Sequence, residues 1–266
     1  MKVGVVGVGN VGSATALSLL ERGGMCRELV LVDRSMERAN GVATDMRYAT
    51  PLVPTVDVRA GDYDALTDAA LVIITAGVNE EAGGATDRSD PQGRLRLLDT
   101  NAEVYADVVP RIMAVAPQAV LMVVTDPPDP LADLTRQLTG HDRVFSTGTL
   151  IDSLRFRVHL ADRLRVRPRD VQAMVVGEHG TSEVLLWSSA SVGGVSILEV
   201  LGRSGQPSTR SSRRSSAISA TPTSPSSKAP GRASMASGRC RPGSPRRSCA
   251  TSARSCRWPP IRHAMG

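Results

Sequence analysis

Over the first two hundred residues, short unbroken runs of Val, Ile and Leu alternate with amphipathic stretches, the pattern of βαβ units on a parallel sheet. Strands are expected at residues 3–8, 29–33, 56–59, 71–75 and 119–125. Most of these runs are apolar at consecutive rather than alternate positions, as strands buried on both faces require. Helices are expected over 11–22, ended by Gly23-Gly24, and over 94–116. Pro127-Pro128 closes the last of these strands at the edge where ligands bind in such sheets. Two further strands are expected at 174–176 and 184–189.

The pattern stops near residue 203, and composition changes with it. Residues 1–203 hold all 26 Asp and Glu against 20 Lys and Arg, a net −6, whereas 204–266 hold 12 basic residues and no acid. The overall pI near 9.7 therefore averages two unlike pieces and does not mark the chain as a nucleic-acid binder. Residues 204–266 lack Val, Leu, Phe and Tyr and cannot offset about 1–2 kcal/mol of backbone entropy per ordered residue. A disordered tail is expected there. A shifted reading frame in a GC-rich gene accounts for its unpatterned Arg, Ser, Pro and Ala, and it lacks the RS or RGG repeats of an RNA-binding segment. Three of the four cysteines, Cys240, Cys249 and Cys256, lie in it, too irregularly spaced for a zinc site, so no metal is expected. No run approaches the roughly 18 apolar residues of a membrane span, and Met1-Lys2 leads straight into a strand, so a cytoplasmic protein is expected.

Gly7-Val8-Gly9-Asn10-Val11-Gly12 stands where the first strand turns into the first helix. There the first glycine permits the tight turn, the second lets backbone approach a pyrophosphate, and the third packs helix on strand, with the helix N-terminus favouring the anion. Asp33, at the end of the second strand, is placed to accept hydrogen bonds from an adenosine ribose. An acid there repels a 2′-phosphate and favours NAD, while Arg34 beside it softens that preference and leaves NADP open.

These motifs, with Thr75-Ala76-Gly77, residues 94–101, Leu150-Ile151-Asp152-Ser153-Leu154-Arg155-Phe156-Arg157 and Gly177-Glu178-His179-Gly180, stand in the order found in the lactate and malate dehydrogenase family, which residues 1–200 resemble. The resemblance implies an α/β fold: a Rossmann doubly wound parallel sheet over 1–142, then a partial α+β substrate domain over 143–203. It implies hydride transfer between NAD and a small 2-hydroxy or 2-oxo acid. Cofactor contacts are implied at Gly7, Gly9, Asn10, Val11, Gly12, Asp33, Thr75, Ala76, Gly77, Asn101, Thr125 and Asp126. His179, whose ordinary pKa near 6.5 suits proton transfer, becomes the acid–base group. By resemblance Asp152 is its partner, Arg155 holds the substrate carboxylate through a bidentate fork, and Arg94 polarises the carbonyl from a closing loop. Taken singly, a His between glycines also ends strands, and Asp152 with Arg155 also makes an ordinary i,i+3 helix pair.

Three features depart from the family. The segment between Gly77 and Arg94 is longer than usual, which blurs the register of Arg88, six residues before Arg94, where the family selects substrate side chains. An Arg there would favour a second carboxylate; a solvated loop charge is the competing reading. Asp126 stands where the family usually has Asn, and an ionised Asp accepts hydrogen bonds but cannot donate, and repels a carboxylate. The family's catalytic domain continues for about a hundred residues beyond Val200 with helices that cover the substrate and join subunits; here the tail follows. The homo-oligomer of the intact family is therefore in doubt, and the strands at 174–176 and 184–189 are expected to expose apolar surface. Two alternatives follow: a catalytically dead nucleotide-binding module with a basic tail that contacts anionic partners, and nucleic-acid binding through the tail alone.

Overall fold

The computed structural model describes residues 1–79, 96–180 and 182–203. Arg88, Arg94, the long loop and the tail expected to be disordered lie outside the described residues.

Six strands form one wholly parallel sheet: β1 (Lys2–Val6), β2 (Glu28–Val32), β3 (Asp57–Ala60), β4 (Leu71–Ile74), β5 (Val120–Val123) and β6 (Val144–Ser146). Their spatial order is β3-β2-β1-β4-β5-β6, the doubly wound order in which the chain reverses direction between β1 and β4. Connecting them are α1 (Asn10–Arg22), α2 (Met36–Ala49), α3 (Arg96–Val115) and α4 (Pro128–Thr139).

The consecutive apolar runs bury both faces. Odd positions Val3, Val5, Leu29, Leu31 and Ile73 pack with Ala16 and Leu20 of α1 and Ala43 and Met46 of α2. Even positions Val6, Val30, Val32, Val72 and Ile74 pack with Tyr105, Val109 and Ile112 of α3 and Leu131 of α4. A period of two thus splits each strand between two cores. Helix ends follow local chemistry: Ser35 caps α2 by accepting the Arg38 N–H at 3.2 Å, and Gly140 ends α4 with φ +67°.

Residues after β6 build a smaller assembly. It comprises α5 (Leu150–Leu164), the antiparallel pair of β8 (Val175–Val176) with β9 (Val184–Leu185), and α6 (Ile197–Arg203). A second antiparallel sheet has the order β11-β10-β7, from β7 (Val171–Gln172), β10 (Ser191–Val192) and β11 (Val195–Ser196). Its core joins Phe156, Leu160, Val171, Val175, Ile197 and Leu201, and Trp187 meets Phe156 edge to face with centroids 5.0 Å apart.

Five of the six parallel strands fall where the apolar runs put them, shifted by one or two residues. The sixth, β6, has only three residues, one of them the exposed Phe145, too few to carry a periodic signal. The strand expected over 184–189 is only the two residues of β9, because Trp187–Ser189 turns as a 3₁₀ helix to bring Trp187 onto Phe156. α5 covers one side of β8, where Val175 is buried, while Met174, Val176 and Val184 are exposed.

Burial in the sheet sets a stability contrast. Leu31 in β2 is fully buried, whereas Leu52 is 88% exposed. Leu31→Ala is expected to cost about 2–5 kcal/mol. Leu52→Ala should stay within about 0.5 kcal/mol. Urea unfolding measures both, and equal midpoints for the two variants would contradict this account of the core.

Candidate active site

Every turn that follows β1, β4 and β5 emerges at the same carboxyl edge of the parallel sheet. Gly7 leaves β1 with φ +93°, and a Cβ there would sit 2.5 Å from the Ala76 backbone N. A Cβ on Gly12 would lie 1.9 Å from the Gly7 carbonyl oxygen. Thr75 at the end of β4 locks this approach, its hydroxyl donating to the Gly7 carbonyl at 2.5 Å. Gly7 and Gly12 therefore have a packing reason to be glycine. Gly9 has none: its φ is −79°, open to any residue, and nothing lies within 4 Å of a Cβ built on it.

What Gly9 keeps open is the approach to the first turn of α1, which holds no acidic residue and whose N-cap, Gly9, offers no side chain to the backbone N–H groups. Those N–H groups and the helix dipole suit a phosphate. Asn10 and Val11 are exposed beside it. Asp33 lies behind the turn, accepting the Val8 N–H at 2.7 Å and the Ser35 N–H at 2.9 Å, with Arg38 3.6 Å away. A carboxylate has about four acceptor positions, so these bonds leave capacity for ribose hydroxyls. Arg34 is exposed.

Past β4 and β5, Gly77 packs so closely that a Cβ would meet Thr125 Cγ2 at 2.3 Å. Thr125 donates to the Ala76 carbonyl at 2.8 Å. Asn101, on α3 and fully buried, accepts the Val78 N–H and donates to the Asp126 carbonyl, each at 2.7 Å. Its amide thereby joins the two loops, which is a positioning geometry rather than an exposed contact.

His179 lies between Gly177, φ +96°, and Gly180, φ +125°. Its Nδ1 stands 2.6 Å from Asp152 Oδ2, and Asp152, on α5, is 1% exposed. A carboxylate only accepts, so Nδ1 carries the proton, and Nε2 lies on the side of Asp126. The other Asp152 oxygen accepts from Arg155 Nη1 at 3.1 Å, so the i,i+3 pair is present together with the His–Asp pair. Asp126 Oδ1 is 4.0 Å from His179 Nε2, beyond hydrogen-bond distance but close enough for charge to act.

Burial pushes the Asp152 carboxyl upward, but the hydrogen bond and charge of His179, with Arg155 beside it, outweigh burial and hold it below its ordinary 3.8.

Three residues of the site carry no signal in the sequence that would single them out. The Asp129 carboxylate accepts the His179 backbone N–H at 2.8 Å. Ser153 accepts the Val175 N–H at 2.9 Å and donates to the Thr149 carbonyl at 2.8 Å, fastening β8 to α5. Glu183 brings a carboxylate oxygen to within 4.8 Å of the Asp152 and His179 ligand atoms. The 2.6 Å His179–Asp152 contact is the length of a hydrogen bond, too short for two ligands spread around a metal.

The family described as lactate/malate dehydrogenase, NAD binding domain, matches residues 1–146, and the lactate/malate dehydrogenase alpha/beta C-terminal domain matches 149–208. The chain is 49% identical over 199 residues to an L-lactate dehydrogenase of Thermus aquaticus, covering 74% of this chain and 61% of that one. Among solved structures, the minor L-lactate dehydrogenase of Enterococcus mundtii superposes with a TM-score of 0.68 at 38% identity, covering 76% of this chain and 63% of that one. Cryptosporidium parvum malate dehydrogenase gives 0.73 at 27% identity, covering 82% and 68%. The chain spans about three fifths of the length of the Thermus relative.

Two outcomes follow from the geometry. Gly9→Ala should leave stability within about 1 kcal/mol. It should weaken NADH binding, read by fluorescence titration, about tenfold or more, because the new methyl fills the side kept open for phosphate. Unchanged affinity would mean that the turn is not the cradle. For Asp152, a depressed carboxyl contributes stability that is fully present above 3.8 and lost as pH falls through the folded value. Asp152→Asn should therefore be less stable than the wild type at neutral pH, with the gap closing below 3.8. Urea midpoints measured across that range check this, and a gap independent of pH would contradict it.

Proposed function

The chain belongs to the lactate/malate dehydrogenase family, and from that premise we propose that it interconverts a small 2-hydroxy acid and its 2-oxo acid, with His179 as the acid–base group. The observation that carries the reading is the 2.6 Å pairing of His179 Nδ1 with a buried carboxylate. Its cofactor is NAD, which fits the turn kept open at Gly9, the uncapped start of α1 and the Asp33 acceptors. When bound, NAD supplies the two-electron exchange with the substrate carbon.

This chain's own residues supply the rest. Nε2 of His179 takes the substrate hydroxyl proton in oxidation and returns it in reduction. Asp152 holds the ring by Nδ1–H and favours the imidazolium that results. Arg155 has five N–H donors, one of them engaged with Asp152 Oδ1. A substrate carboxylate is the partner suited to its fork. Arg94, and Arg88 as selector of a second carboxylate, enter this scheme through the family resemblance. Gly7 to Gly12 bind the dinucleotide, while Thr75, Ala76, Gly77, Asn101, Thr125 and Asp126 shape the nicotinamide end. We assign 1–142 to nucleotide binding and 143–203 to the substrate, and we place the enzyme in the cytoplasm. Among the described residues no helix is long and apolar enough to cross a membrane.

Exposed Met174, Val176 and Val184 beside the dyad favour a second reading, a module that binds the nucleotide without turnover. Loss of NADH absorbance with pyruvate or oxaloacetate separates the two. On the enzyme reading, reproducible turnover is expected, and His179→Asn lowers kcat by about 10²–10⁴-fold with NADH affinity held. Absence of turnover in the full chain with intact NADH binding supports the second reading.

A further inference from the structure

We propose that Asp129 is a positioning residue for His179 that acts through the main chain, a proposal that rests on His179 being the proton-transfer group. Asp129 lies in the first turn of α4, where the helix dipole favours a carboxylate. Its Oδ2 accepts the His179 N–H at 2.8 Å, and its Oδ1 accepts the hydroxyl of Ser146 at the end of β6. Gly148, φ +32°, passes so close that a Cβ there would come within 2.6 Å of the same Oδ1. One carboxylate thus ties three segments: the start of α4, the end of β6 and the loop that carries His179.

That loop needs an outside hold. β8 is two residues long, and the glycines at 177 and 180 both have positive φ, so among the described residues no strand ladder reaches His179. A partly buried backbone N–H must find an acceptor, and Asp129 provides it. Asp152 grips the same residue at Nδ1. The bond to Asp129 places the main chain of His179 and the bond to Asp152 turns its ring, and together they set the direction of Nε2.

The test compares Asp129→Ala with Asp129→Asn in the full chain. An Asn carbonyl can accept the His179 N–H while its amide donates to Ser146 Oγ, so Asn keeps the clamp without the charge. Asp129→Ala should lower kcat by about 10²-fold, the scale of a misplaced catalytic group, with KM and NADH affinity held. Asp129→Asn should recover most of that loss. Independently of turnover, NMR should show the His179 amide slow to exchange in wild type and Asn variant and fast in the Ala variant, with the downfield Nδ1 proton broadened only in the latter. If Asp129→Ala does not fold, Asp129→Glu, whose extra methylene moves the carboxylate off its seat, should show the same fast exchange. Equal His179 exchange in wild type and the Ala or Glu variant, or an Asn variant as impaired as Ala, overturns the proposal. No turnover in a wild type that still shows the clamp by exchange refutes the enzyme reading alone.

Discussion

His179 sits on a loop that its own strands cannot support, and the site depends on hydrogen bonds that reach it from other elements. A strand pair of two residues each supplies few ladder bonds. The support comes instead from α5, through Ser153 to Val175 and Asp152 to the imidazole, and from α4, through Asp129. Hydrogen bonds to charged groups contribute about 1.5–3 kcal/mol each against roughly 0.5–1.5 for neutral ones. Two of the three ties use a carboxylate. Asp152 can stay ionised at 1% exposure only because His179 and Arg155 flank it, so the group that orients the histidine is itself held by its partners.

The sheet does complementary work at its switch point. The connections that leave β1 and β4 run to opposite sides of the sheet order there, and the turn between β1 and α1 must pass within van der Waals contact of Thr75 and Ala76. Gly7 and Gly12 meet that steric demand, and the Thr75 hydroxyl closes it. Gly9 answers to no such demand. Three glycines of one motif thus divide into two set by packing and one that packing leaves open. Asn101 extends the rigidity outward, coupling Val78 after β4 to the Asp126 carbonyl after β5.

Fold was legible where burial is simple. Strands covered on both faces have to be apolar at nearly every position, so β1, β2, β4 and β5 announce themselves; β3, Asp57–Ala60 at one edge, shows only alternation, and β6, three residues at the other edge, shows no pattern. The glycine motif and Asp33 could be read from strand, turn and helix order alone. The pairing of His179 with Asp152 could not, since 27 residues separate them and only the family resemblance joined them beforehand. Ser153 stood in view within the motif quoted over 150–157 and Asp129 in none, and their bonds cross 22 and 50 residues of chain and leave no periodic trace. A polar residue that serves another segment's backbone looks like any solvated polar residue until the segments meet.

Charge argues last about what this site can hold. The described part of the chain belongs to the acidic portion, net −6 over 1–203, and the overall pI reflects the tail instead. Around Nε2 of His179 stand the carboxylates of Asp126 and, through the ring, Asp152, with Glu183 close to the pair. Arg155 is the cation that meets this cluster directly among the described residues. On the proposed reading, a carboxylate substrate near His179 gains from the Arg155 guanidinium and works against Asp126, whose Oδ1 lies 4.0 Å from Nε2, where the local dielectric decides the size of each effect. A guanidinium that meets a carboxylate through two parallel N–H···O bonds gains geometric match as well as charge. On the proposed reading Arg155 holds an anionic substrate by shape-matched hydrogen bonds.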